Sequence, residues 1–495
     1  MTQVLDEDRK ARLFWACCIA LISTSIAFGV ITEGIGDIKA EYGLTNTQSG
    51  WVLGSALGGF FISIILLGPV IEKIGIAVSL KSAFVCHIAG VILMMYSGSY
   101  IQLIVGASFI ALGNGCVEAG CNPLVATMYS DNKTTKLNQF HVFWPVGIIV
   151  GGLFGFWVSG AVDAAVASGA LATDWTLFGL SALQAKLALI LVPTLIYGFM
   201  FLGQEIPQTE RVQSRVSDEE VKSAVSSPLF ILLLCCMGLT ATLEIGPGRW
   251  MAASMKDVLA DADITNGGIL VLVYGAALMA ILRYFAGGFV HRFSPTGLLF
   301  GSAVVGGIGL FAMTYATTLN AVFLTATVFF AGICFFWPTM LGFVSERIPN
   351  SGALGLCLMG GVGMLVAGYV ALPAIGAIQD NYLIAQVNEG QGWTSLPFEL
   401  VTENDADGNP PAAIDAQIQA GLIAQGVAGA DAENVVKSAS LFAGRMSFRW
   451  IAALAIPLAL VFFNLHKRFG NVPAASIGSS SRATGNEQVE VQNSF

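Results

Sequence analysis

Gly113-Asn-Gly-Cys-Val-Glu118-Ala-Gly-Cys-Asn122-Pro123, followed by Leu137-Asn138-x-x-His141-x-x-Trp144-Pro145-x-Gly147, is the stretch on which the reading of this chain turns. Glu118 and Asn122 sit inside an apolar run that begins near Ile101. A carboxylate at bilayer depth costs about 2.5–3.5 kcal/mol on insertion scales unless it faces a cavity or a partner, so it is a functional candidate by default. Four apart on a helix, Glu118 and Asn122 share one face, and Pro123 leaves a carbonyl one turn earlier without its usual donor. The stretch can offer a polar stripe to a solute.

Composition points the same way. The charged fraction is 11%, the hydrophobic fraction 55% and the mean hydropathy +0.73, where soluble domains carry about 25% charge. Repeated apolar runs of helix-spanning length argue for an all-α integral membrane protein and against a barrel of alternating strands. The net charge of -9 says little about partners, because the acidic excess gathers in one loop, and no basic patch invites nucleic acid. The nine cysteines all fall in apolar segments and read as small hydrophobes, with no disulfide and no zinc site expected. Asp6-Glu-Asp-Arg-Lys-Ala-Arg12 runs into an apolar segment with no cleavage pattern, which reads as a retained first span. The chain contains no Gly-Lys-[Ser/Thr] loop and no His-Glu-x-x-His, so neither an ATP-driven pump nor an enzyme is expected, and neither a cofactor nor a metal.

Twelve spans are expected, at about 13–32, 49–68, 82–98, 101–128, 137–160 and 183–203, then 228–246, 267–290, 296–316, 321–345, 351–378 and 447–466. This divides the chain into a first six-helix half (1–203), a cytoplasmic linker (204–227) with a short helix near Ser217 to Ala224, a second half (228–470) and a disordered cytoplasmic tail (471–495). With both termini in the cytoplasm of a multi-pass protein of the cell (inner or plasma) membrane, fifteen Lys/Arg lie inside and six outside.

The halves echo each other. Gly68-x-x-x-Glu72-Lys73-x-Gly75 matches Gly287-x-x-x-His291-Arg292-x-Ser294, Glu33-Gly-Ile-Gly36 matches Glu244-Ile-Gly246, and Asn122-Pro123 matches Trp337-Pro338. The offsets, 287−68 = 219, 244−33 = 211 and 338−123 = 215, are nearly constant and point to a duplicated six-helix unit. Over almost its whole length the chain resembles the major facilitator superfamily, whose two six-helix halves are related by an axis along the membrane normal. Gly68-Pro-Val-Ile-Glu-Lys-Ile-Gly75 resembles that family's signature loop, with Glu72 at the usual Asp position and Lys73 at the usual Arg. The resemblance makes Glu72 and Lys73 gating residues, with Arg292 in the second copy and Arg283 supporting it.

Within the superfamily, Glu118-x-x-x-Asn122-Pro123, Leu137-Asn138-x-x-His141, Trp337-Pro338-Thr339 and Gly360-Gly361 resemble the fucose-proton symporter family and related hexose carriers. That resemblance implies monosaccharide symport with protons by alternating access, in a monomer whose partners are the bilayer, a sugar and a proton or sodium ion. It implies substrate binding by Glu118, Asn122, Asn138, His141 and Trp144, and proton coupling by Glu118 and a first-helix carboxylate, Glu33 or its rival Asp37. Family members tend to carry Gln where His141 stands and Asn where Trp144 stands, a departure that bears on which sugar is taken. Transport of another organic solute, by uptake or efflux and with sodium coupling as a variant, and a non-transporting sugar sensor are the alternatives. The bland readings are a structural pair for Glu118, a helix cap for His141, packing for Trp144 and an outward-snorkelling Lys186, with Asn114 and Gln102 as further polar residues.

The outer loop, 380–446, holds most of the acidic excess. Ala412 to Val427 reads as a helix with Ile414, Ile418, Leu422 and Ile423 on one side, hence a small cap. Asp405-Ala-Asp-Gly-Asn409 lacks the ligand run and terminal Glu of a calcium loop.

Overall fold

The computed structural model describes residues 6–42, 46–171, 174–260, 267–401 and 414–470, and every extended regular element among them is a helix. Among the described residues ten helices are long and apolar enough to cross a bilayer, and the shorter apolar helices Trp51–Leu67 and Leu270–Tyr284 take the second and eighth places. The expected twelve spans in two halves of six are therefore present. The halves meet where the second span packs on the eleventh, and where the fifth packs on the eighth and tenth.

Proline sets where the spans break, because it lacks the N–H that would satisfy the carbonyl four residues earlier. The fifth span, expected as one helix, is Lys133–Phe140 and Phe143–Ala167, broken at His141 and Val142 ahead of Pro145. Likewise the tenth is Leu319–Ile333 and Phe336–Arg347 ahead of Pro338, and the twelfth breaks at Leu454 ahead of Pro457. In the eleventh, a π-helical turn, Val366–Ala371, precedes Pro373. These breaks leave carbonyls that something else must satisfy.

The duplication is visible in the backbone. Gly75 has φ 88° and ψ 146°, and Ser294, at the same 219-residue offset (294−75), has φ 60° and ψ 162°. Ser294 offsets its unfavourable backbone with side-chain bonds, its Oγ accepting from Gly297 N at 3.3 Å and meeting His466 Nδ1 at 3.2 Å. Between the halves the helix Asp218–Val225 is closed at its start by a reciprocal pair of bonds between Ser217 and Glu220. That backbone bond from Ser217 holds the Glu220 carboxyl below its ordinary value.

The segment expected as a loop at 380–446 is largely helical. The eleventh span runs on through Leu372–Gln391, and the twelfth starts early, as Gly429–Ala453. Long amphipathic stretches at both ends continue the helices because their apolar sides find each other: Leu383, Val387, Val436 and Ala439 form a separate buried cluster with Ile418 and Leu422 of the helix Ile414–Ala424. Ile423, expected on the buried side, is 48% exposed. The Asp405–Asn409 stretch and the tail 471–495 lie outside the described residues.

A Cβ at residue 75 would meet no atom within 4 Å, so Gly75→Ala has only its backbone conformation to fight. It is expected to cost about 1–3 kcal/mol, read as a lower melting temperature of the purified protein. An unchanged melting temperature would contradict the strain argument.

Candidate functional site

Two of the carbonyls left open by proline converge on one side chain. Pro145 frees the carbonyl of His141 and Pro338 that of Cys334, each four residues upstream. Arg283, 1% exposed in the eighth span, donates from Nη1 to His141 O at 3.1 Å and from Nε to Cys334 O at 2.5 Å. Its Nη2 completes the set on Glu244 Oε1 at 2.8 Å. A planar guanidinium with five donors in a fixed fork can serve all three acceptors at once, which an ammonium could not do in the same plane. One residue of the second half thus grips a carbonyl of the first. Arg283 was expected to support the Gly287–Ser294 loop; its hydrogen bonds go to the middle of the bundle instead, because that is where the open carbonyls are.

Above this joint lies a cavity of about 250 Å³ lined by residues of both halves, chiefly apolar, with Thr32, Glu33, Asn114, Trp144 and Glu244 as its polar or aromatic members. Glu33 and Glu244, the pair matched by the sequence echo, both face it, and each is held by a buried cation. Glu244 has Arg283; Glu33 has Lys186, with Nζ at 3.0 Å from Oε2. Lys186 is 1% exposed and also donates to Ser159 Oγ at 2.8 Å. The expectation that it snorkels outward is corrected, since a carboxylate and a hydroxyl within reach make the interior the better place for its charge.

Glu118, Asn122 and His141 do not line the cavity; they form a buried chain beside it. His141 Nε2 donates to Asn122 Oδ1 at 3.1 Å, and Asn122 Nδ2 donates to Glu118 Oε2 at 2.5 Å. His141 O is the carbonyl that Arg283 holds, so the chain runs on to Glu244. Asn138 lies apart, donating to Thr134 O at 3.0 Å and Thr339 Oγ1 at 3.1 Å where the fifth and tenth spans pack. Asp37 belongs to the helix Ile35–Tyr42, and its side chain lies outside the described residues.

The end of the bundle where the first span begins and the twelfth ends is closed by bonds between halves and to the segment that links them. Glu72 binds Arg211, accepts from Thr209 Oγ1 at 3.1 Å and accepts from Ala353 N, at the start of the eleventh span, at 3.0 Å. Lys133 Nζ reaches Glu210 at 2.6 Å and Ser345 O at 3.2 Å, and Thr134 N donates to Glu346 Oε1 at 2.9 Å. Arg211 also binds Asp218 at 2.5 Å, and its hydrogen bond and charge hold that exposed carboxyl below its ordinary value. Lys73 is exposed, 3.9 Å from Asp218, and Arg292 is exposed beside Phe293, its guanidinium 5.7 Å from the ring centre. Of the four expected gating residues, Glu72 alone joins this closure at the loop.

Glu244, named from sequence only as the echo of Glu33, and Lys133, Glu210 and Glu346 were not singled out as site residues. The near-constant offset between Glu33 and Glu244 was the signal that could have found the first.

Residues 13–375 match the Major Facilitator Superfamily. A protein of Helicobacter pylori (strain J99) named for glucose/galactose transport is 22% identical over 71% of this chain and 84% of its own length. The L-fucose-proton symporter of Escherichia coli K12 is 24% identical over 31% of this chain and 37% of its own. A solved proton:xylose symporter superposes with a TM-score of 0.66 at 12% identity, over 93% of this chain and 96% of that one, which is a likeness of fold.

Removing one partner of a buried ion pair strands the other, at a cost of about 3–5 kcal/mol. Glu244→Leu is therefore expected to lower thermal stability in nanodiscs markedly, and Glu244→Leu with Arg283→Met to recover part of the loss. A single variant as stable as the wild type would show that Arg283 does not depend on Glu244.

Proposed function

Since the chain belongs to the Major Facilitator Superfamily, whose members are membrane transporters rather than enzymes, we propose that it is a proton-coupled monosaccharide symporter working by alternating access, with both termini in the cytoplasm. The observation that carries this is a small two-half cavity with two paired carboxylates at its wall and a third carboxylate, Glu118, hydrogen-bonded beside it. Its volume of about 250 Å³ falls below the ~300–1,000 Å³ of drug-sized sites, in keeping with a small solute.

The sugar lies against Trp144, whose ring offers an apolar face to the C–H side of a pyranose, while Glu33, Thr32, Asn114 and Glu244 meet its hydroxyls. Asn138 contributes through the packing of the spans and not by contact. Glu118 takes the proton. Its carboxylate accepts from Asn122, Asn122 accepts from His141, and the backbone of His141 is held by Arg283 of the other half. Adding a proton to Glu118 weakens that acceptor, and the change is felt at the joint between halves, so protonation and solute occupancy bias one rocking equilibrium. Glu33 tunes the same event through Lys186. The cross-half bonds of Glu72 and Lys133 belong to the state closed toward the cytoplasm, and breaking them is the cost of opening inward. Relatives named for glucose/galactose transport and for L-fucose-proton symport support a sugar, while relatives of Acinetobacter baylyi named for cis,cis-muconate and 4-hydroxybenzoate transport keep another organic solute as the second reading.

Uptake of labelled monosaccharides into proteoliposomes with an acidic exterior tests this. Accumulation that a protonophore abolishes is expected; accumulation that needs sodium, or binding with no accumulation, would overturn proton symport. Glu118→Gln keeps shape and removes titration, so it is expected to lose gradient-driven accumulation by about two orders of magnitude while retaining counterflow exchange. Wild-type accumulation by that variant would remove Glu118 from the coupling.

A further inference from the structure

A second polar chain reaches the cavity through Asn114, by way of a histidine that the transport cycle above does not use. His87, in the third span, is fully buried, and its ring lies against Gly113 of the fourth span, where a Cβ would stand 2.8 Å from Nε2. Nε2 is 2.9 Å from Asn114 Oδ1, and Nδ1 is 3.1 Å from the Tyr197 hydroxyl. Behind it Ser23 Oγ sits 2.6 Å from Thr194 Oγ1, whose own proton goes to Ile190 O at 2.8 Å.

The hydrogen-bonding neighbours assign the protons. Thr194 donates to the Ile190 carbonyl, so the short contact between hydroxyls is filled by the Ser23 proton. His87 Nδ1 faces two hydroxyls, Tyr197 at 3.1 Å and Ser23 Oγ at 3.5 Å, and with the Tyr197 hydroxyl assigned as donor that nitrogen carries no proton. The ring proton is then on Nε2 and is donated to Asn114 Oδ1. Every polar atom of the histidine is satisfied in the neutral form, as a buried imidazole requires. The consequence falls on Asn114. An amide can turn over, exchanging its oxygen for its nitrogen, but here the oxygen is claimed by His87 and the nitrogen is left to the cavity that Asn114 lines.

We propose that His87 is a positioning residue for solute recognition: it fixes Asn114 with its two N–H groups toward the cavity, so that the site selects a solute with an acceptor oxygen at that place. This deepens the sugar reading, since a pyranose hydroxyl or ring oxygen is such an acceptor, and rests on that reading for the identity of the solute alone. A site built to hydrogen-bond a particular oxygen rejects analogues lacking it more strongly than an apolar pocket can, because its polar group is then left unpaired.

Two measurements decide it. The first needs no solute: full-length protein labelled with 15N-histidine in nanodiscs, with His87→Gln to assign one of four histidines, is expected to give the Nε2–H tautomer for His87, and Asn114→Leu to shift its Nε2 resonance. An Nδ1–H tautomer, an imidazolium or an unshifted resonance would overturn the proposal. The second uses a monosaccharide that wild-type protein accumulates, with its panel of single-deoxy analogues. His87→Leu and Asn114→Ala are each expected to raise KM about tenfold, the double variant no further, and His87→Gln, which can donate and accept in the same places, to stay close to wild type. One deoxy analogue should be handled alike by wild type and His87→Leu. A fall in kcat for every analogue alike, unrescued by His87→Gln, would make His87 merely structural. Failure of every monosaccharide to accumulate would sink the sugar reading, while the tautomer would still decide the role of His87.

Discussion

The constraint on which the structure depends is the pair of carbonyls that Pro145 and Pro338 leave without helical donors in the fifth and tenth spans. In a bilayer such groups have no water to turn to, and each costs several kcal/mol if left alone. Arg283 meets both, and in doing so ties a broken helix of each half to the eighth span. A guanidinium at that depth is itself expensive unless a carboxylate answers it, and Glu244 does. Two prolines thus call for an arginine, the arginine calls for an acid, and the acid lines the cavity.

The first half solves the same problem differently. Glu33 stands where Glu244 stands in the duplicated unit, but its cation comes from the sixth span, as Lys186, with Ser159 completing the ammonium. Both pairs are close to neutral as units, which leaves Glu118 as the carboxylate in this region bonded to an amide and not to a cation. Protonating Glu118 strands no bonded cation, whereas protonating either acid at the cavity wall would leave Lys186 or Arg283 without its counter-charge, which is why the proposed proton site is Glu118.

Much of the architecture was legible in the sequence. Apolar runs of spanning length gave the helix count, and the motif from Gly68 to Gly75 repeated at Gly287 to Ser294 exposed a duplication that the shared positive φ of Gly75 and Ser294 makes physical. Glu118 and Asn122, four apart, were readable as one face, and they are bonded to each other. What could not be read was which distant side chain answers which. Lys186 looked like a snorkelling lysine because nothing local marks Glu33 as its partner across 153 residues. Arg283 looked like loop support because its acceptors, His141 O and Cys334 O, become available only through prolines in other spans. His87 drew no notice, since a histidine in an apolar run has no periodic signal. The extension of the eleventh and twelfth spans into a capped bundle was missed for a related reason: polar outer faces lowered the hydropathy, although the inner faces were apolar enough to pack.

The measurement that bears most directly on the account is proton movement during sugar entry. Protein is reconstituted in lightly buffered vesicles and the external pH is followed as a transported monosaccharide is added with no imposed gradient. The account predicts an external alkalinisation in step with sugar uptake, about one proton per sugar as one titrating carboxylate requires, and its loss in Glu118→Gln. Sugar uptake of wild-type rate with no change in external pH would contradict it.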